Sequence, residues 1–195
     1  IQANKSFPIP QKFQSPVQVA RMDDLNLIFL MNAKNEITSF SPISKKFSDN
    51  VLNVPADSKI SAIGTYLTYI YLVDQKNNQI YRYPRAEGGF GEKIDWFKDS
   101  ASFSQMNDMA INENIFISSD SAIIKLFRGK NQSFTLPQTA TPIHIAKISL
   151  GEKTGNLFIL DKQNSRIIHL DSENRIKGQY YHPEISSAVD LAVNE

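Results

Sequence analysis

The imidazoles are the first groups to weigh, because a metal site or a nucleophilic triad would have to be assembled around them. His144, His169 and His182 are the only three. A zinc site needs several such ligands converging on one point. These three read as belonging to an inner strand, a third strand and an outer loop, so packing or surface roles are expected of them. Ser, His and Asp all occur, but no nucleophile-elbow pattern accompanies them. Carboxylates offer a second chemistry. Asp108 stands in MNDMAI, residues 106–111, and the same signature returns as AVDLAV, residues 188–193, with Asp190. With Asn107 beside the first, such carboxylates would bind a cation if their strands met around a common axis. The competing reading has each Asp accepting backbone N–H bonds in the turn before its strand. The corresponding places elsewhere hold Gln18 and His144 and no carboxylate, so no metal and no cofactor is the leading expectation.

A third candidate is the segment at 84–93, PRAEGGFGEK, the most glycine-dense in the chain. Arg85, Glu87, Phe90 and Lys93 project from it, and exposed loops on a rigid scaffold commonly carry binding. A phosphate cradle fails on spacing, since GGFGEK lacks both the four residues between glycines and the Ser or Thr after Lys. Two readings stay open: contact with a protein or small-molecule partner, or a long hairpin connection whose Phe90 packs back on its own sheet. Trp96, the only tryptophan, reads as a packing aromatic.

Composition removes other chemistries. Without cysteine there is no disulfide, thiolate metal site or Cys nucleophile. Twenty-one basic residues against twenty acidic give a net charge of +1, which lacks the excess that phosphate neutralisation asks for, so a nucleic-acid partner is not expected. No apolar run approaches membrane-spanning length. The triplets at Asn4 and Asn131 match the glycosylation sequon and matter only in a secretory eukaryotic setting. The compartment stays open.

The elements that must position these groups are repeats. LIFLMNAKNEITSF (27–40), YIYLVDQKNNQIYRY (69–83), NIFISSDSAIIKLF (114–127) and NLFILDKQNSRIIHL (156–170) write one unit four times: an apolar run, a polar turn, and a second run alternating at period two. Phe29, Tyr71, Phe116 and Phe158 head the second strand of each unit at spacings of 42, 45 and 42 residues. A small residue in the preceding strand recurs as Ala20, Ala62, Ala110, Ala146 and Ala192. Units of this length with four short strands are the mark of β-propeller blades. The expected fold is all-β: four-stranded antiparallel blades over 16–59, 60–105, 106–142 and 143–188. Residues 1–15 and 189–195 would belong to partial blades, residues 7–13 serving as an outer strand that closes the ring and 188–195 as the inner strand of a fifth blade. The chain is thus expected to be one propeller domain, a piece of a five- or six-bladed ring.

The unit of strand, Asp, polar turn, Arg or Gln and alternating run resembles the NHL-type repeat and its six-bladed relatives. Leu160, Asp161, Asn164, Arg166, Ile167 and Asp171 carry the best match. Asn32 departs from it, and so does the shortened loop at Ser119 and Asp120. YRYPRAEGGFGEKIDWFKD and IIKLFRGKNQSFTL also resemble propeller regions of uncharacterised bacterial proteins, some joined to an amino-terminal serine/threonine phosphatase domain. No phosphatase motif occurs here, so that resemblance implies the non-catalytic part. The expected function is therefore an interaction or ligand-sensing module. The alternative, implied by a likeness to lactonase-type six-bladed enzymes, is a hydrolase with an axial metal site at Asn107, Asp108 and Asp190.

Overall fold

The computed structural model describes residues 7–50, 52–151 and 153–193. Its strands make four antiparallel sheets of four strands and one two-stranded ribbon. The first sheet runs β1 (Gln18–Met22), β2 (Leu27–Met31), β3 (Ile37–Ser41), β4 (Lys46–Asn50). In the second, β5 (Ile60–Tyr66), β6 (Tyr69–Asp74) and β7 (Gln79–Tyr83) are followed by the ribbon β8 (Arg85–Ala86) and β9 (Gly89–Phe90), and β10 (Ile94–Asp95) completes the sheet. The third holds β11 (Asp108–Ile111), β12 (Ile115–Ser118), β13 (Ile123–Phe127) and β14 (Lys130–Gln132). The fourth holds β15 (Lys147–Leu150), β16 (Leu157–Asp161), β17 (Arg166–Leu170) and β18 (Ile176–Tyr181).

Strand order follows chain order in every sheet, and apart from the ribbon between β7 and β10 the strands of a sheet are joined by short connections. Asn26, Asn35, Asn78 and Asn174 take the left-handed conformation there, which Asn tolerates better than most side chains. The first strands of successive sheets, β1, β5, β11 and β15, lie side by side in that order. The sheets are therefore blades arrayed about an axis, as the repeat period predicts.

No blade can bury both its faces alone, and three apolar layers between blades do so. Met22, Phe29 and Met31 of the first meet Ile70, Leu72 and Tyr83 of the second. Tyr71, Val73 and Ile80 meet Met109, Ile117 and Leu126, sealed above by Phe97 and Phe103 from the connection between those blades. Phe116 and Ile123 meet Ile159, Ile168 and Leu170. Burial on both faces explains why the second strands read as unbroken apolar runs.

Several expectations shift. The small residue opposite each second-strand aromatic is Ala20 on Phe29, Gly64 on Tyr71, Ala110 on Phe116 and Ser149 on Phe158. Ala62 and Ala146 fall out of that register. The turn between β5 and β6 has two residues, 67–68, where that between β1 and β2 has four, 23–26, and this shifts the pairing by two so that Ala62 faces Val73. The fourth inner strand starts at Lys147, four residues later than its apolar run suggests, leaving Ile143 and Ile145 buried in an irregular connection. The outer strand of the third blade is Lys130–Gln132 and not the apolar run after it. The arm at 7–16 joins no sheet. It lies on its own first blade, with Phe7 against Phe40 at 5.2 Å, Lys12 paired with Asp49 at 3.0 Å, and Phe13 fully buried. Residues 188–193 carry no strand.

Candidate functional site

The glycine-rich segment folds into the ribbon of β8 and β9. Gly88 supplies the left-handed turn residue at its tip with φ of 76°. Phe90 anchors the base, half-buried and set edge-on to Phe29 of the first blade at 5.8 Å. Arg85 lies over the Phe90 ring at 5.5 Å and donates to the Gly89 carbonyl at 2.8 Å. Lys93 donates to Asp95 at 2.7 Å and lies over Tyr81 at 4.9 Å. Three of the four named residues are thus engaged within the chain. Glu87, beside the tip, is exposed. Trp96 packs edge-on to Tyr71 at 6.0 Å.

The second candidate is the axial mouth, a cavity of about 460 Å³ lined by Gln18, Val19, Ile63, Asp108, Met109, Lys147, Ile148, Asp190 and their neighbours. Asp108 accepts from the Ile148 N–H at 2.7 Å and from Lys147 at 3.2 Å, so the third and fourth inner strands are joined through it. Gln18 donates to the Ser61 carbonyl at 2.8 Å, joining the first to the second. Lys147 holds the fourth-blade position expected of His144, and the late start of its strand hides it from pattern reading. Asn107 is exposed, and Asp190 accepts from the Leu191 N–H at 2.8 Å. Among the described residues, no three His, Cys, Asp or Glu side chains are grouped to hold a metal ion.

The histidines lie on separate elements. His144, in the connection before β15, pairs with Asp120 at 3.2 Å. His169 of β17 stacks on Phe158 at 4.2 Å, and His182 accepts from the Glu184 N–H at the start of a short 3-10 helix. Of the two sequons, Asn4 lies outside the described residues, and Asn131 is exposed in β14 with its amide donating to the Ser100 carbonyl at 2.8 Å.

The turn acids serve the fold. Asp74 is fully buried and accepts from the N–H groups of Lys59 and Lys76, the Asn77 amide and the Tyr81 hydroxyl, at 2.7 to 3.0 Å. Burial alone would raise its carboxyl, but the Asn77 amide and the backbone donors together outweigh it and hold it at about 2. The folded group therefore titrates below the unfolded one. Its contribution is complete above the ordinary value of 3.8 and is lost as pH falls towards 2. Urea melts of the wild type should lose about 2 kcal/mol from this group across that window, and Asp74→Asn should flatten the slope there. Asp108 has the opposite sign. Burial raises it despite Lys147 and the Ile148 N–H, so its contribution is present below 3.8 and declines as pH rises through its raised value.

No protein-family model matches the chain, and no curated protein matches it. Solved structures do. Virginiamycin B lyase from Staphylococcus aureus superposes with a TM-score of 0.59 at 16% identity, over 90% of this chain and 58% of the lyase chain. A chain of the nidogen/laminin complex gives 0.66 at 12% identity, over 94% and 70%. A chain of the mitotic checkpoint complex gives 0.58 at 10%, over 92% and 59%. The chain thus spans 58% of the length of the lyase it resembles. At these identities the likeness is one of fold, and it agrees with the sheet order: the chain is a four-bladed stretch of β-propeller.

Proposed function

We propose that the chain is a non-catalytic interaction or ligand-sensing module, with the ribbon of β8 and β9 as its contact element. The supporting observation is a division of labour. At the axis Asp108 and Lys147 are occupied in joining blades, whereas Glu87 stands in solvent on a ribbon fixed at its base by Phe90. The NHL-type resemblance of the repeats supports the same reading. So do two of the structural neighbours, which were found in the nidogen/laminin and mitotic checkpoint complexes. The lactonase-like alternative, with an axial metal, is weakened by Asp108, whose two oxygens already take the Ile148 N–H and Lys147.

A photo-crosslinking side chain at Glu87 should yield a discrete adduct in extracts of the source cell, and the same group at exposed Lys177 should not. Phe90→Ala should cut the yield several-fold while costing about 1–2 kcal/mol, the loss of one half-buried aromatic contact. Hydrolysis of lactone or ester substrates that needs added calcium, zinc or manganese and disappears in Asp108→Asn would overturn the reading.

A further inference from the structure

One register rule governs the inner strands. Counting back from the small residue that faces the aromatic, the position before it holds Val19, Ile63, Met109 or Ile148, and all four line the axial cavity. One position further back stand Gln18, Asp108 and Lys147, which also line it. At two of these, Gln18 and Asp108, the side chain hydrogen-bonds the backbone of the next inner strand. Aligning AVDLAV on MNDMAI sets Asp190 on Asp108, Leu191 on Met109 and Ala192 on Ala110. Asp190 and Leu191 line the same cavity, where the first and fourth inner strands also contribute. Leu191 is thus a fifth member of the ring formed by Val19, Ile63, Met109 and Ile148. Yet residues 188–193 pair with no strand, Ala192 is exposed, and Val189 is 85% exposed.

We propose that residues 188–193 are the inner strand of a fifth blade, already placed on the axis, and that the occupant of their open edge is the second strand of that blade. The register rule states its chemistry: an antiparallel strand, apolar on both faces, with Phe or Tyr opposite Ala192. Asp190 then takes a backbone N–H from the inner strand beyond, as Asp108 does from Ile148. A second copy of this chain does not fit the role, because β2, β6, β12 and β16 each lie between two hydrogen-bonded neighbours and have no edge to offer. This inference is independent of what the ribbon binds.

The test adds a synthetic hairpin with the sequence of residues 156–170 to the 195-residue chain and follows amide exchange. Exchange at 189–193 is expected to slow by about tenfold. A hairpin with Ser for its Phe at the position of Phe158 should lose that protection, as should Ala192→Phe in the chain. Unchanged exchange at saturating hairpin, or equal protection by the Ser peptide, would overturn the proposal. If the hairpin aggregates, a chain carrying residues 143–181 appended after residue 193 tests the same pairing. Its melting temperature should exceed that of the appended Ala192→Phe version, and equality refutes the fifth blade.

Discussion

Arg166→Met should cost about 3–5 kcal/mol in urea unfolding, the largest loss expected from a single side chain in this protein. Arg166 is 1% exposed and its partner Asp161 fully buried. Its Nε donates to Asp161 at 2.8 Å, and its remaining nitrogens donate to Gln179 and to the carbonyls of Thr141 and Pro142 at 2.9 to 3.1 Å. One side chain thus ties β16, β18 and the connection from the third blade into the fourth. Removing it leaves the buried Asp161 carboxylate with Asn164 as its remaining side-chain donor and no countercharge, and it unties the Thr141 and Pro142 carbonyls of the connection. Arg166→Lys should recover little, since an ammonium cannot span three directions with fixed geometry. Asp161→Leu combined with Arg166→Met should be less damaging than Arg166→Met alone, because the orphaned charge is gone. If the double variant is no better than the single one, the cost lies in the lost carbonyl contacts and not in the charge.

That pair is legible in the sequence as repeat residues, and so are the blades. Period-two alternation, the spacing of Phe29, Tyr71, Phe116 and Phe158, and the polar turns are all consequences of strand geometry that composition cannot imitate. What the sequence hides is register. Pattern reading aligns Ala62 with Ala20, but the turn that follows is two residues shorter in the second blade than in the first, so Gly64 takes the crowded position opposite Tyr71. The fourth inner strand is displaced for a related reason. Ile143 and Ile145 are as apolar as a strand needs, yet they are buried in a connection that Arg166 holds through Thr141 and Pro142. The place of Lys147 follows from that shift. The ribbon is legible as a glycine-rich hairpin, but that Phe90 packs on Phe29 of the neighbouring first blade is not, because no local pattern records which blade a connection leans on.

The axis carries the functional argument. A ring of aliphatic side chains with Gln18, Asp108 and Lys147 at its mouth resembles a ligand site only until their partners are counted, for each reaches a neighbouring inner strand or the side chain on it. Gln18, Asp108 and Lys147 thus act as clasps between blades, while Asp190 accepts only from the N–H of its neighbour Leu191. This moves the search for function outward to the rim, where connection length is free to vary because blade packing does not depend on it.

Gly129→Ala is the second large effect expected, at about 2–4 kcal/mol, although it removes nothing. Arg128 and Gly129 have φ of 50° and 80°, the pair of left-handed residues that a two-residue hairpin such as β13 to β14 demands. A Cβ on Gly129 would strain that turn and also collide with the carbonyl oxygen of Trp96, in the neighbouring blade. Backbone cannot swing aside as a side-chain tip can. The contrast is Gly64→Ala, where the new methyl meets only the flexible ends of Met109 and Ile111, and Gly89→Ala, which meets nothing within 4 Å. The expected order of destabilisation is therefore Gly129, Gly64, Gly89. The Gly129 carbonyl also accepts the Lys98 N–H at 2.8 Å, so forcing the hairpin away unpairs the outer edges of the second and third blades. Trp96 fluorescence should shift to the red as that seam opens, at denaturant concentrations where far-UV ellipticity is still native. A Gly129→Ala protein with the stability of Gly89→Ala and unshifted fluorescence would mean that the seam is not a constraint on the blades it joins.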